Sequence, residues 1–320
     1  MVVLDELDRR ILYQLDLDCR QSNARIARKV KARKDTVAFR IRRLIKRGII
    51  TRFTTEINSA KFGYATLKVY LQVQNFTDKQ EKEFFQYLKS FRQTGWIVSC
   101  SGRWDVLVVY WAKSPFEFYQ ELLKILNRFS KHIVHKEICQ SMNWFWYNRK
   151  WLIEDATPVG IEYGGIPGHY KLDDLDHAVL RCLIDDGRAS AVSISEKAGT
   201  SPQNVLNKIK KLKKAGIITK FGIDIDYKQL GITFCKAFVY LQNITQERLQ
   251  ELYDYCLRQP QIFALVVTLG PWDLELEFEV HDFEEMTRIM NGLRKKFGDM
   301  VKNYESVIVT AQTPVIHIEE

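Results

Sequence analysis

Two stretches of the chain, 168 positions apart, carry side chains of the types that contact nucleic acids. The first is rich in arginine and lysine, whose cationic groups bind phosphate oxygens. The second adds amides, and Gln or Asn can form two hydrogen bonds with adenine in the major groove. The candidate DNA-contacting residues are Arg33, Lys34, Thr36, Arg40, Arg43 and Arg47 in the first stretch, and Ser201, Gln203, Asn204, Asn207, Lys208 and Lys211 in the second.

Apolar spacing predicts that both stretches are helical. Val37, Ile41 and Leu44 share one face of a helix over about 34–46, which Gly48 ends. In the second stretch Ser201 is a favourable N-cap and Pro202 suits the first helical position. Helices are also predicted at 5–17 and 22–30, and the β-branched segment 49–57 predicts a hairpin. Three helices and a hairpin make a winged helix-turn-helix.

This unit occurs twice in the chain. Of the 60 positions from Leu4 to Gly63, 22 are identical to those 168 positions later, without a gap. The match continues to Asn75-Phe76-Thr77, which aligns with Asn243-Ile244-Thr245. A period of this length is too long for a solenoid repeat. We therefore infer that a two-domain module has been duplicated and fused.

The second half of each module predicts a small α+β domain. Strands are expected at 67–73, 97–101, 105–110 and 133–140, with helices at 78–91 and 115–129. The order βαββαβ is that of a ferredoxin-like domain, with a four-stranded antiparallel sheet and both helices on one face. The second copy repeats it, with strands at 234–241, 262–269, 273–280 and 302–310 and helices at 246–257 and 283–297.

The fold class is therefore α+β, with two winged helix-turn-helix domains and two ferredoxin-like domains in tandem. We expect DNA-binding domains at 1–63 and 171–231 and regulatory domains at 64–143 and 232–320. An aromatic and Gly-rich linker is expected at 144–170.

The net charge of +9 is unevenly placed. Residues 1–63 hold 16 Lys and Arg against 7 Asp and Glu, whereas 169–231 hold 11 against 8. A basic excess in one small domain suggests a polyanionic partner. The sequence predicts no membrane span, no secretory signal and no metal site, and its six scattered cysteines are typical of reduced thiols. We expect a cytoplasmic protein.

These features together resemble the Lrp/AsnC, or feast/famine, family of transcription regulators. The resemblance rests on Leu4-Asp5-x-Leu7-Asp8, Gly48-Ile49-Ile50, Phe62-Gly63 and Gly102-x-x-Asp105, all with counterparts 168 positions later. It implies a double-stranded DNA partner and a small-molecule regulatory domain that pairs with a second copy. Here the two modules are fused, so this pairing is expected within the chain, and a further homodimer stays open.

The resemblance also implies an effector site at the turns Gly102-Arg103-Trp104-Asp105 and Gly270-Pro271-Trp272-Asp273, with amino acids as the common effectors. Glycine lets the backbone approach a ligand, and an Asp can accept an ammonium group. The alternative is that Gly forms the turn, Asp caps it and Trp fills the core. The candidate effector-binding residues are Ser101, Gly102, Asp105, Leu269, Gly270 and Asp273.

Two other functions remain open at this point. An architectural protein would coat DNA through its phosphates with little sequence preference. A branch that resembles the family decarboxylates sirohaem and carries a His-Asn-Tyr-type segment, whereas residues 96–103 here contain no His. We therefore expect no catalytic residues and no cofactor. The helix over about 34–46 and the helix that begins after Ser201 are the two expected to contact bases, and we call them the reading helices. Because their side chains differ in chemistry, we expect an asymmetric operator.

Overall fold

The first helix-turn-helix domain is built from three helices, of which the first two have side-chain N-caps. The computed structural model describes residues 2–315. Asp5 caps the first helix, Ser22 caps the second, and Val37, Ile41 and Leu44 of the third are buried. One strand follows. The elements are α1 (Glu6–Leu17), α2 (Asn23–Lys29), α3 (Lys34–Lys46) and β1 (Ile50–Ile57).

The first regulatory domain has the predicted βαββαβ order. Its sheet runs β5-β2-β4-β3, entirely antiparallel. Both helices pack against one face through apolar residues such as Phe84, Leu122 and Ile125. The elements are β2 (Ala65–Val73), α4 (Asp78–Lys89), β3 (Thr94–Gly102), β4 (Val106–Ala112), α5 (Pro115–Phe129) and β5 (Ile133–Tyr147).

The segment expected to be a linker is partly regular structure. Strand β5 extends through the aromatic run to Tyr147, and β6 (Gly160–Gly164) pairs with it antiparallel. Trp144 and Tyr163 are buried in this pairing. The aromatic residues of β5 therefore belong to the sheet, where they fill space between the two modules.

The second module repeats the first. Its helix-turn-helix elements are α6 (Asp174–Asp185), α7 (Ala191–Ala198), α8 (Pro202–Lys214) and β7 (Ile218–Ile225), followed by the short α9 (Tyr227–Leu230). Its regulatory domain contains β8 (Thr233–Leu241), α10 (Gln246–Arg258), β9 (Ile262–Leu269), β10 (Leu274–Val280), α11 (Phe283–Lys296) and β11 (Val301–Pro314). The predicted fold class and the tandem duplication are confirmed.

The hairpin predicted for residues 49–57 is wrong. Strand β1 pairs with β7 of the other copy in a two-stranded antiparallel ribbon. No Gly, Pro or Asn within 50–57 provides a tight turn, so the segment stays extended and needs a partner from outside its own domain. The ribbon joins the two DNA-binding domains, whose apolar residues form one core.

The two regulatory sheets also merge. Strands β5 and β11 are long enough to pair in both sheets, β5 with β2 and β9, and β11 with β8 and β3. The result is a closed arrangement of eight strands, with β6 added beside β5. Intramolecular pairing of the modules is therefore a property of this structure. None of the helices in residues 2–315 is long and apolar enough to cross a membrane.

Candidate nucleic-acid interface

The exposed face of α3 is strongly basic. Arg33 occupies the N-cap without making a side-chain cap bond, and Lys34, Arg42 and Arg47 are exposed. Thr36 is half-buried. The opposite face of the helix packs into the core, so the position of these cations is fixed by the fold. They are available to phosphates and base edges.

Two of the predicted contact residues of α3 are already engaged by α1. Arg43 binds the buried carboxylate of Asp8 at 2.6 Å, and Arg40 binds both Asp8 at 3.1 Å and Asp5. The hydrogen bond from Arg40 lowers the pKa of Asp5. These guanidinium groups hold α1 against α3, so they position the reading helix.

The reading helix of the second copy exposes amides. Ser201 caps α8 by accepting a hydrogen bond from the Asn204 backbone N–H at 3.2 Å, as its sequence position predicts. Gln203 donates to Asn207 at 3.1 Å, and the Asn204 side chain donates to Thr200 at 3.1 Å. The side chains of Ser201, Gln203, Asn204 and Asn207 are all exposed. Side-chain amides of this kind can exchange these bonds for base edges.

Lysines of α8 repeat the positioning role only in part. Lys208, the counterpart of Arg40, binds Asp173 and lies 3.1 Å from Asp176. Lys211, the counterpart of Arg43, lies over the Tyr170 ring at 5.7 Å. The contact of Lys208 with the acidic start of α6 thus matches that of Arg40 with the acidic start of α1, whereas the contact of Arg43 with Asp8 is replaced by that of Lys211 with Tyr170. The contact shared by both copies could have been predicted from the sequence, because an Asp at the start of the first helix and a basic residue in the third helix recur 168 positions apart.

The two copies are locked together around the ribbon. Cys19 donates its backbone N–H to Phe221 at 3.0 Å, and Gly187 donates to Phe53 at 2.9 Å. The hydroxyl of Thr55 donates to the Leu183 carbonyl at 2.6 Å. Each strand of the ribbon therefore packs on the helices of the other copy, and the two reading helices belong to one unit.

The turns at 101–105 and 269–273 have a defined internal role. Asp105 accepts the Val73 backbone N–H at 2.8 Å, and Asp273 accepts that of Leu241 at 2.6 Å. Trp104 and Trp272 are completely buried between the sheets.

The glycines of these turns sit close to the other module's strands. A Cβ on Gly102 would meet the Ser306 carbonyl at 3.0 Å, and one on Gly270 would meet Cys139 at 2.6 Å. Ser101, Gly102, Leu269 and Gly270 are exposed. The turns thus lie where the two modules join, and their effector role stays a prediction.

A charged ribbon face was missed by the sequence analysis. Arg52 and Glu56 of β1 lie opposite Asp224 and Lys220 of β7. All four line a cavity of about 950 Å³ between the ribbon and the regulatory sheets. The signal was the alternation of these polar residues with apolar ones such as Phe53, because one face of a strand takes every second residue.

Comparison with known proteins places the helix-turn-helix domains in a described family. The family model "Winged helix-turn-helix DNA-binding" matches residues 4–51 and 172–219. The transcriptional regulator AzlB of Bacillus subtilis is 33% identical over 114 residues, which cover 35% of this chain and 73% of that protein. The HTH-type transcriptional regulator AldR of Mycolicibacterium smegmatis is 25% identical over 167 residues, which cover 51% of this chain and 93% of that protein.

A solved structure matches the tandem arrangement. The siroheme decarboxylase NirDL superposes with a TM-score of 0.62 at 10% sequence identity, covering 98% of this chain and 93% of that one. At this identity the similarity concerns the fold alone. It shows that two such modules have the same arrangement in another protein.

Proposed function

The chain belongs to the Lrp/AsnC family of transcription regulators, and we propose that its two helix-turn-helix domains read two unlike half-sites of one operator. It is a DNA-binding transcription regulator. The observation that carries the proposal is the contrast between α3 and α8. The first copy presents the cations Arg33 and Lys34 at the start of its reading helix. The second copy presents amides at Gln203, Asn204 and Asn207, where the first copy has Asp35, Thr36 and Phe39.

The contrast has direct consequences for recognition. In helix-turn-helix domains the N-terminal half of the second helix of the motif meets base edges in the major groove. Lys34 and Thr36 occupy these positions in α3, and Gln203, Asn204 and Asn207 occupy them in α8. Lysine suits guanine acceptors, whereas the amides suit adenine. Arg47, near the end of α3, suits a phosphate.

The ribbon supports binding of both half-sites by one chain. Because β1 and β7 pair and each packs on the other copy's helices, the two reading helices are held without a second chain. Dimers of this type bind half-sites one helical turn or a multiple apart. We therefore expect an asymmetric operator with that spacing.

The effector is proposed to be an amino acid that binds at the two turns between strands. Each Asp of the turns uses its Oδ2 for a backbone N–H. Its Oδ1 has no hydrogen-bond partner within residues 2–315, so it can accept an ammonium group. The neighbouring Ser101 and Leu269 are exposed. Calorimetric titration with the common amino acids tests this, and an Asp105→Asn/Asp273→Asn variant that binds as tightly as the parent would exclude these carboxylates.

We also propose that the chain is not an enzyme. The named relatives reported above by sequence are transcriptional regulators, and residues 96–103 lack the His expected of the sirohaem-decarboxylating branch. Purified protein mixed with sirohaem should show no shifted Soret band and release no carbon dioxide. Turnover of sirohaem would refute the proposal.

The principal test is retention of fragmented genomic DNA on the purified chain at increasing salt, with sequencing of what stays bound. Enrichment of a few asymmetric sites is expected. Retention without sequence preference that collapses with salt would instead identify an architectural protein. A Lys34→Ala/Arg47→Ala variant should lose the sites, whereas Lys79→Ala/Lys82→Ala, on the exposed face of α4, should retain them.

A further inference from the structure

A large, partly open cavity lies under the ribbon. It has a volume of about 950 Å³ and is bounded by β1 and β7 on one side and by the regulatory sheets on the other. Small-molecule sites in proteins have volumes of about 300–1,000 Å³. The cavity is therefore large enough for a ligand of several rings, and it is separate from the DNA-facing helices and from the two turns.

Aromatic rings form much of its wall. Trp96, Trp111, Trp144, Trp146 and Phe263 all contribute, from both regulatory domains. Trp144 and Trp146 stack with their ring centroids 5.0 Å apart. Indole faces are electron-rich and attract cations as well as flat rings. Lys68 already uses this property, since its ammonium lies 4.3 Å from the centre of the Trp144 ring.

The ribbon supplies two cross-strand pairs of opposite charge. They are Arg52 with Asp224 and Glu56 with Lys220, and the duplication relates one pair to the other. The first pair is an ion pair, with 2.9 Å between the Arg52 and Asp224 side chains. The second pair is not. Lys220 instead lies 3.3 Å from the buried Asp16 of α1.

The difference arises from one position. Asp16 is replaced by Ile184 in the second copy, so Arg52 meets no competing carboxylate there. Glu56 consequently has no hydrogen-bond or ion-pair partner for its carboxyl group within residues 2–315. Burial, together with the nearby charge of Asp224, raises the pKa of Glu56. An acid in this state is stabilised by a ligand that donates to it.

Three of the four basic residues of the cavity already have carboxylate partners. Arg149 binds Asp16 at 2.7 Å and Glu279 at 3.0 Å, and Arg52 and Lys220 have the partners described above. The fourth basic residue of the lining, Lys228, is exposed and lies close enough to Asp226 to help lower the pKa of that residue. Among the buried and half-buried charged side chains of the lining, the one without a partner is thus the Glu56 carboxyl, which favours a cationic ligand over an acid.

We propose that this cavity binds a flat aromatic molecule with a protonated or hydrogen-donating nitrogen, which stacks on the tryptophans and donates to Glu56. The inference does not depend on the DNA-binding proposal, because its test contains no DNA. The proposed preference for a cationic ligand also distinguishes this cavity from a site for a tetrapyrrole, which carries several carboxylates.

The test compares two probes with the same three-ring skeleton and opposite charge, 9-aminoacridine and acridine-9-carboxylate. Both are titrated against the full chain, with probe fluorescence and calorimetry as readouts. The amine should bind at least tenfold more tightly, since a hydrogen bond between charged groups is worth at least about tenfold in affinity.

Two variants locate the binding. Glu56→Gln should remove most of this preference, whereas Glu154→Gln, an exposed residue outside the cavity, should leave it unchanged. Ala311→Trp fills part of the lining and should weaken both probes, with circular dichroism confirming that the variant is folded. Equal affinity for the two probes, no binding of the amine at 1 mM, or an unchanged preference in Glu56→Gln would each overturn the proposal. So would displacement of the amine by uroporphyrin at equal or lower concentration.

Discussion

Arg149 connects three parts of the molecule, and replacing it tests whether they form one unit. Its guanidinium is buried and binds Asp16 of α1 at 2.7 Å and Glu279 of β10 at 3.0 and 3.1 Å. It also donates to the Tyr227 hydroxyl at 3.2 Å and to the Ile223 carbonyl at 3.0 Å. One side chain thus joins the first DNA-binding domain, the ribbon and the second regulatory domain.

We expect Arg149→Met to lower the free energy of unfolding by about 3 kcal/mol. Removing one partner of a buried ion pair costs about 3–5 kcal/mol, because the other partner stays buried without compensation. Here each carboxylate keeps a donor. Lys220 lies 3.3 Å from Asp16, and the Trp151 indole donates to Glu279 at 2.6 Å. The cost should therefore lie at the lower end of that range.

Urea unfolding at pH 7, followed by fluorescence and circular dichroism, measures this change. The control is Arg128→Met, which breaks a pair with Glu83 in which both side chains are about half exposed, at 49% and 47%. Such surface pairs are worth about 0–1 kcal/mol. A loss below about 1 kcal/mol for Arg149→Met would refute the claim that this residue joins the domains.

The pH dependence of the same variant provides a second check. Burial raises the pKa of Asp16, but Lys220 and Arg149 outweigh burial, and the net pKa is lowered. A lowered folded pKa contributes stability above the unfolded value of about 3.9 and loses it as the pH falls through the folded value. Without Arg149 this contribution shrinks, so the difference between variant and parent should narrow below about pH 4.

Three further predictions follow from individual contacts. Arg40→Ala should lower the free energy of unfolding, because the Arg40 guanidinium binds Asp8. The control Arg47→Ala removes an exposed side chain and should leave that free energy unchanged. DNA titrations at several salt concentrations should show that Arg47→Ala reduces the slope of log affinity against log salt by about 1. Glu275→Gln should cost about 3–5 kcal/mol in urea unfolding at pH 7, because the buried ammonium of Lys68, 2.7 Å away, loses its counter-ion and that of Lys236, 2.8 Å away, keeps only Glu277. Burial raises the pKa of Glu275, but Lys236 and Lys68 hold it well below its usual range, so this deficit should narrow as the pH falls below about 4. Gly270→Ala should destabilise the chain by about 1–3 kcal/mol in thermal unfolding, because its Cβ would lie 2.6 Å from that of Cys139 across the joint between the modules.

Local features were predictable from the sequence. The bounds of α5, Pro115–Phe129, match the prediction of 115–129, since Pro115 can open a helix and apolar residues recur at helical spacing. The bounds of α3 match as well. The βαββαβ order followed from the alternation of helical and strand periods.

Features that depend on distant partners were not predictable in the same way. Segment 50–57 has the composition of a strand, but no residue within it indicates that β7 is its partner. The free carboxyl of Glu56 depends on Asp16 capturing Lys220, a contact between residues 204 positions apart in the chain. Comparing the two copies position by position would have shown the replacement of Asp16 by Ile184, yet not its consequence.

The most direct test of the central claim is selection of randomised duplex DNA by two forms of the chain. The parent should select an asymmetric site, because α3 and α8 read different bases. A form in which α3 takes the side chains of α8 should instead select a palindrome with the same spacing, through the substitutions Arg33→Ser, Lys34→Pro, Asp35→Gln, Thr36→Asn, Phe39→Asn and Arg40→Lys. A palindromic site for the parent, or an asymmetric site for the exchanged form, would contradict the account.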